Sequence, residues 1–121
     1  MENSKEIAAL VACELACIRD ATLAGRIREF LVAPYPVERA WDYGPRDERF
    51  TCWTFLEYRP TNTGIAYYSQ GFGPSYPWGL VFLAGSHMNI GMGSAWFASL
   101  EDAMRASAAW NGSNPDGYEA Q

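Results

Sequence analysis

Thr63-Gly-Ile-Ala-Tyr-Tyr-Ser-Gln-Gly-Phe-Gly-Pro-Ser-Tyr-Pro-Trp-Gly-Leu-Val-Phe-Leu83 decides the reading of this chain. Aromatic and β-branched residues crowd its two ends, and glycine and proline fill its middle, so it reads as two strands joined by a Gly/Pro/aromatic loop. It lies inside a longer stretch, Pro60 to Leu100, that contains no Asp, Glu, Lys or Arg. A solvated sheet face ordinarily carries Lys and Glu, and a bare apolar one of more than a few hundred Å2 marks an interaction site. The stretch is therefore expected to be covered, by helices on both faces of a sheet or by a partner.

Working outward, Gly64 to Gln70 is the returning strand, Gly71 to Pro77 the loop and Trp78 to Leu83 the next strand. Upstream, Phe50 to Tyr58 is the clearest strand. Phe50, Cys52, Thr54, Leu56 and Tyr58 fall on one side, with Thr51, Trp53, Phe55 and Glu57 on the other. Both sides are largely apolar, as expected of a central strand covered on two faces. Val37 to Tyr43 reads as a first, edge strand after Pro34 and Pro36, which are expected to end the preceding helix. Downstream, Ala84 to His87 turns the chain, and Met88 to Met92 reads as a last strand, with Gly91 and Gly93 marking a bulge or close backbone approach.

Three helices flank these strands. Asn3 followed by Glu6 forms a capping box for the first, whose apolar stripe is Ile7, Leu10, Val11, Leu15 and Ile18. Asp20 caps a second helix running to about Val32, with Leu23, Ile27, Phe30 and Leu31 inward and Arg26, Arg28 and Glu29 outward. Ser99 and Asp102 open a third helix over Leu100 to Ala109. The fold class is α+β: an antiparallel β-meander of four to five strands with an N-terminal αα-hairpin and a C-terminal helix packed on it. Residues 1–110 are expected to form one domain, and Asn111 to Gln121 a flexible tail.

The 121 residues suffice for one domain with a core of its own. The longest apolar run falls far short of the ~20 residues that span a bilayer, and the N-terminus shows no secretory pattern. The expectation is a cytoplasmic protein with no membrane partner. Cys13, Cys17 and Cys52 match neither a redox nor a zinc spacing and read as reduced thiols. A net charge of −5 argues against a phosphate-binding surface and suits a basic protein partner.

No residue set announces a reaction. Cys52 with His87 would make a nucleophile and base, but Cys52 sits mid-strand without a cation to lower its pKa. One histidine without a nearby carboxylate cluster does not make a zinc site. Asp42, Asp47, Glu48 and Glu57 flank the aromatic sheet; glycosidase chemistry would need two carboxylates ~5–9 Å apart. Gly71 to Ser75 lacks the lysine and following helix of a phosphate loop. Base stacking on Tyr67, Tyr68, Phe72, Tyr76 or Trp78 would lack the basic groove such platforms use. No catalytic residue, metal, cofactor or nucleic-acid partner is assigned.

Protein binding is the reading that remains. Phe72, Tyr76 and Trp78 ring a proline-stiffened loop, and His87, Met92 and Trp96 extend the same surface; aromatic rings held stiffly are typical anchors of interfaces. Each ring has core packing as its plainer role. In general type, a small acidic ring-rich α+β chain without a catalytic set resembles bacterial immunity proteins and other inhibitors that cap a toxic enzyme. That resemblance implies a docking module acting on a basic protein. The alternatives are a small-molecule-binding or hydrolytic enzyme with an aromatic cleft around Trp41, Trp53 and Trp78, and an obligate homodimer without a separate ligand.

Overall fold

Local capping sets the helix starts. In the computed structural model, which describes residues 3–39, 50–69, 76–83 and 96–110, the Asn3 side chain accepts from the Glu6 N–H and opens α1 (Ser4–Cys17). Asp20 accepts from the N–H groups of Thr22 and Leu23 and opens α2 (Ala21–Phe30). Ser99 accepts from the Asp102 N–H and opens α3 (Leu100–Ala106). Each cap satisfies donors that the first helical turn leaves without an intrahelical partner.

The strands are β1 (Leu31–Arg39), β2 (Phe50–Tyr58), β3 (Thr63–Tyr67), β4 (Trp78–Phe82) and β5 (Trp96–Phe97), in the order β1-β2-β3-β4-β5 with every pair antiparallel. A 3-10 turn, Arg59–Thr61, and Asn62 in the left-handed conformation (φ 57°) join β2 to β3. The α+β meander with an N-terminal helix pair and a C-terminal helix is thus the observed architecture.

Several boundaries differ from the sequence expectation. The second helix stops at Phe30, and β1 begins at once, so Pro34 and Pro36 lie inside the strand instead of ahead of it. β1 is an edge strand with an irregular register between Leu31 and Tyr35, which is where missing N–H groups are tolerated. The third helix ends at Ala106, short of Ala109. The expected strand Met88–Met92, the end of the first strand beyond Arg39 and the expected tail 111–121 lie outside the described residues.

β2 carries a bulge. Thr54 pairs with Ala66 but Leu56 pairs with Ile65, so one extra residue enters β2 and shifts its alternation. Phe55 and Leu56 consequently join one core, together with Ile65, Trp78 and Phe97 from the sheet. All three helices contribute to that core through Ile7, Val11, Leu23, Ile27, Leu100 and Met104, among others. The other sheet face holds a smaller buried cluster of Cys52, Ala66, Val81 and Trp96, with Tyr68 packed against it. The expected grouping of Leu56 and Tyr58 with Cys52 is corrected by this bulge: both now lie with the helix-side core.

Two contacts that span the chain hold the helices to one another. Glu14 on α1 accepts the Leu100 N–H at 2.9 Å and so caps α3 from outside. Arg26, expected to point outward, instead donates to the Ala109 carbonyl at 2.7 Å, and its guanidinium lies 4.7 Å from the Phe30 ring centre. Leu10, expected in the buried stripe, is 40% exposed, because it lies about a quarter-turn off the Ile7–Val11–Leu15 line.

Candidate docking surface

The candidate residues divide by position along β4. Trp78, the first residue of the strand, is 4% exposed and packs edge-on against Phe55 and Tyr67, with ring centres 5.6 and 5.0 Å apart. It belongs to the core between sheet and helices. Trp96 is also 4% exposed, on the opposite sheet face, where its ring lies over Gly79 across the β4–β5 pair. Neither indole presents a surface in the single chain, where both pack inside it. The physical reason is size. An indole beside a glycine or between two other rings removes more apolar area from water inside the chain than it could on a loop.

Tyr76 is the candidate that remains at the surface, 38% exposed just ahead of β4. Phe72, His87 and Met92 lie outside the described residues. Phe82, which the sequence reading leaves out, is 45% exposed at the other end of the same strand. Along one side of β4 burial falls from Trp78 through Leu80 to Phe82. The signal for this was the strand pattern itself, since residues 78, 80 and 82 share a face and only the first two pack with the helix-side core.

Near Leu80 a small apolar cleft of about 60 Å3 opens between Tyr58, Thr63, Ile65, Leu80 and the residues just after α3, Ala108 and Ala109. A second, of about 110 Å3, runs between α1 and β1, past Ala8, Ala12, Val11, Leu31, Val32 and Pro34. Neither is lined by an Asp, Glu, Lys, Arg or His side chain. A broader groove beside β1 includes Glu29, Glu57 and Arg59. Of the cleft proposed around Trp41, Trp53 and Trp78, Trp41 lies outside the described residues, while Trp53 and Trp78 pack with the helix-side core.

Polar chemistry concentrates at two places. On the second sheet face the Tyr35 hydroxyl donates to Glu57 at 2.6 Å, and Arg59 binds the other Glu57 oxygen at 2.8 Å. Burial first, then the Glu57 carboxylate, pushes the Tyr35 phenol above its ordinary value. Thr54 Oγ1, buried opposite Tyr35, meets no partner at hydrogen-bonding geometry, although its proximity weakly opposes that shift. Between the helices, Arg105 is buried and bridges Asp20 at 3.2 Å and Glu101 at 3.1 Å. The Leu23 N–H holds the Asp20 carboxyl below its usual range; burial opposes this and Arg105 adds to it.

Among the described residues no group of three His, Cys, Asp or Glu side chains is placed to hold a metal ion, and no helix is long and apolar enough to cross a membrane. No protein-family model, curated protein or solved structure matches the chain.

Proposed function

We propose that this chain is a protein-binding domain of the inhibitor type, docking a basic protein. The observation that carries the reading is the pairing of charge exclusion with exposed rings. From Pro60 to Leu100 the sequence holds no Asp, Glu, Lys or Arg, yet Tyr76 and Phe82 in that stretch stand 38% and 45% exposed. Rings that packing leaves in water, on a surface without charges to solvate it, are the composition of an interface centre. The net charge of −5 lies outside that stretch and would steer a cationic partner towards it.

The test is a stoichiometric complex recovered from the native cell, with its affinity then measured against variants. Tyr76→Ala and Phe82→Ala remove surface rings and leave the core cluster intact, so folding should persist. Each is expected to weaken binding by about 2 kcal/mol, the scale of an interface anchor. If both leave the dissociation constant unchanged, the binding surface lies elsewhere. A partner without a basic surface would overturn the steering argument.

A further inference from the structure

Two cysteines stand on one stripe of α1. Cys13 and Cys17 are exposed one helical turn apart, whereas Cys52 is buried in the sheet. Side chains at i and i+4 are neighbours on a helix face, with Cβ atoms about 5–6 Å apart. A disulfide needs its Cβ atoms at about 3.5–4.5 Å. The intact helix therefore keeps this pair as a dithiol, too wide for a sulfur–sulfur bond but narrow enough for one atom between the sulfurs. Two metal–sulfur bonds of about 2.3 Å each, in line, span about 4.6 Å. Thiols leaning slightly toward each other cover that distance with the backbone unmoved.

The surroundings limit the ligands to these two. Glu14, between the cysteines in sequence, is half-buried and turns its carboxylate to the Leu100 N–H at 2.9 Å. Asp20, three residues past Cys17, is held by the N–H groups of Thr22 and Leu23 and by Arg105. Arg19, exposed between Cys17 and Asp20, is a cation and no ligand. Glu6 stands about two turns before Cys13 and bonds Asn3. Among the described residues no set of three His, Cys, Asp or Glu forms. Zinc takes three or four protein ligands, so the pair suits it poorly. Soft thiolates with no harder donor beside them select copper(I).

The geometry points to a two-coordinate site for copper(I), bridged between the Cys13 and Cys17 sulfurs. Each thiol gives its proton to solvent on binding. Two protons leave, the ion keeps its oxidation state, and the complex carries one negative charge. The bridge closes the last turn of α1, which ends at Cys17, where the Ile18 N–H bonds the Leu15 carbonyl at 3.1 Å. Glu14 lies in the same turn, so an occupied site stiffens its contact with α3 as well. This site does not depend on the surface of Tyr76 and Phe82.

The test is an oxygen-free titration of the whole reduced chain with copper(I), in competition with the chromophoric chelator bicinchoninate. One ion per monomeric chain should leave the chelator, with an affinity that rises with pH as the thiols deprotonate. X-ray absorption should show two sulfur neighbours, and the melting temperature should rise. Cys13→Ser and Cys17→Ser, both at exposed positions, should each weaken binding at least about a hundredfold, beyond the loss of a group that only orients a ligand. Cys13→Ser with Ala12→Cys keeps two exposed thiols but sets them five residues apart, on different sides of the helix. It should bind as weakly as the single variants. Tight binding by that variant would show that thiol number alone matters and would overturn the inference. So would one ion shared between two chains, a third sulfur neighbour, or a chelator that keeps all its copper.

Discussion

Gly79 and Trp96 are built for each other: a Cβ placed on Gly79 would lie 2.7 Å from three atoms of the Trp96 ring. Cross-strand partners on β4 and β5 thus meet as a flat indole on a bare backbone. Gly79→Ala should force the ring off its site and cost about 1–3 kcal/mol, the usual penalty of overpacking. Urea unfolding followed by tryptophan emission would measure it. A variant with unchanged midpoint and unchanged emission would show that the indole has room to move and that β5 is not held by this contact.

Arg105 ties the start of α2 to α3 through Asp20 and Glu101. Its side chain is almost wholly buried while both carboxylates remain about a third exposed. Removing it with Arg105→Met strands two partly desolvated carboxylates, at a cost of about 2–4 kcal/mol, with the lower end favoured because water still reaches them. Equilibrium denaturation at neutral pH is the measurement, and a loss below half a kilocalorie would place the pair among ordinary surface bridges.

Asp20 makes the same cluster sensitive to acid. Its folded pKa is lowered, first by the Leu23 N–H and further by Arg105. Above its unfolded value the stabilisation is complete, and it is lost as pH falls through the lower folded value. Asp20→Asn keeps a side-chain oxygen for the cap but removes this titration. The stability gap between the two proteins should therefore narrow from pH 6 to pH 2. Parallel curves across that range would mean that the carboxylate gains nothing from folding.

The caps, the strand pattern and the antiparallel meander were legible because their signals are local. Asn3, Asp20 and Ser99 are each followed by the backbone donors they satisfy. What was not legible depends on which residue stands opposite. The bulge before Leu56 comes from the pairing of β2 with β3 and changes which residues share a face. Arg26 reads as an outward cation until the Ala109 carbonyl, 83 positions away, is placed beside it. Trp78 and Trp96 look like loop anchors in sequence because nothing local shows that Phe55, Tyr67 and Gly79 will meet them.

Thr54 presents a buried hydroxyl without a hydrogen-bond partner, in the middle of β2. An unsatisfied buried hydroxyl costs free energy that an isosteric methyl does not. Thr54→Val should accordingly raise stability by about 1 kcal/mol, against the common direction of core substitutions. A shifted denaturation midpoint with an unchanged slope would show it. A loss of stability would mean that the hydroxyl makes a useful contact with its cross-strand neighbour Tyr35.

Tyr35 gives the opposite pH signature to Asp20. Its folded pKa is raised, by burial and then by the Glu57 carboxylate that accepts the hydrogen bond of its hydroxyl at 2.6 Å. Below the unfolded value of about 10 the phenol is protonated in both states, and its contribution is complete. As pH rises past that value the unfolded chain ionises first, so stability declines until the folded pKa is reached. Tyr35→Phe loses the hydrogen bond to Glu57 and should be less stable at pH 7 by about 1–2 kcal/mol, the scale of a bond to a charged acceptor. Its alkaline decline should nevertheless be shallower, because the titrating group is gone. The two curves should converge between pH 9 and pH 11, as measured by urea midpoints on both proteins. Curves that stay parallel there would show that ionising Tyr35 costs the fold nothing, and that the short contact with Glu57 does not survive in solution.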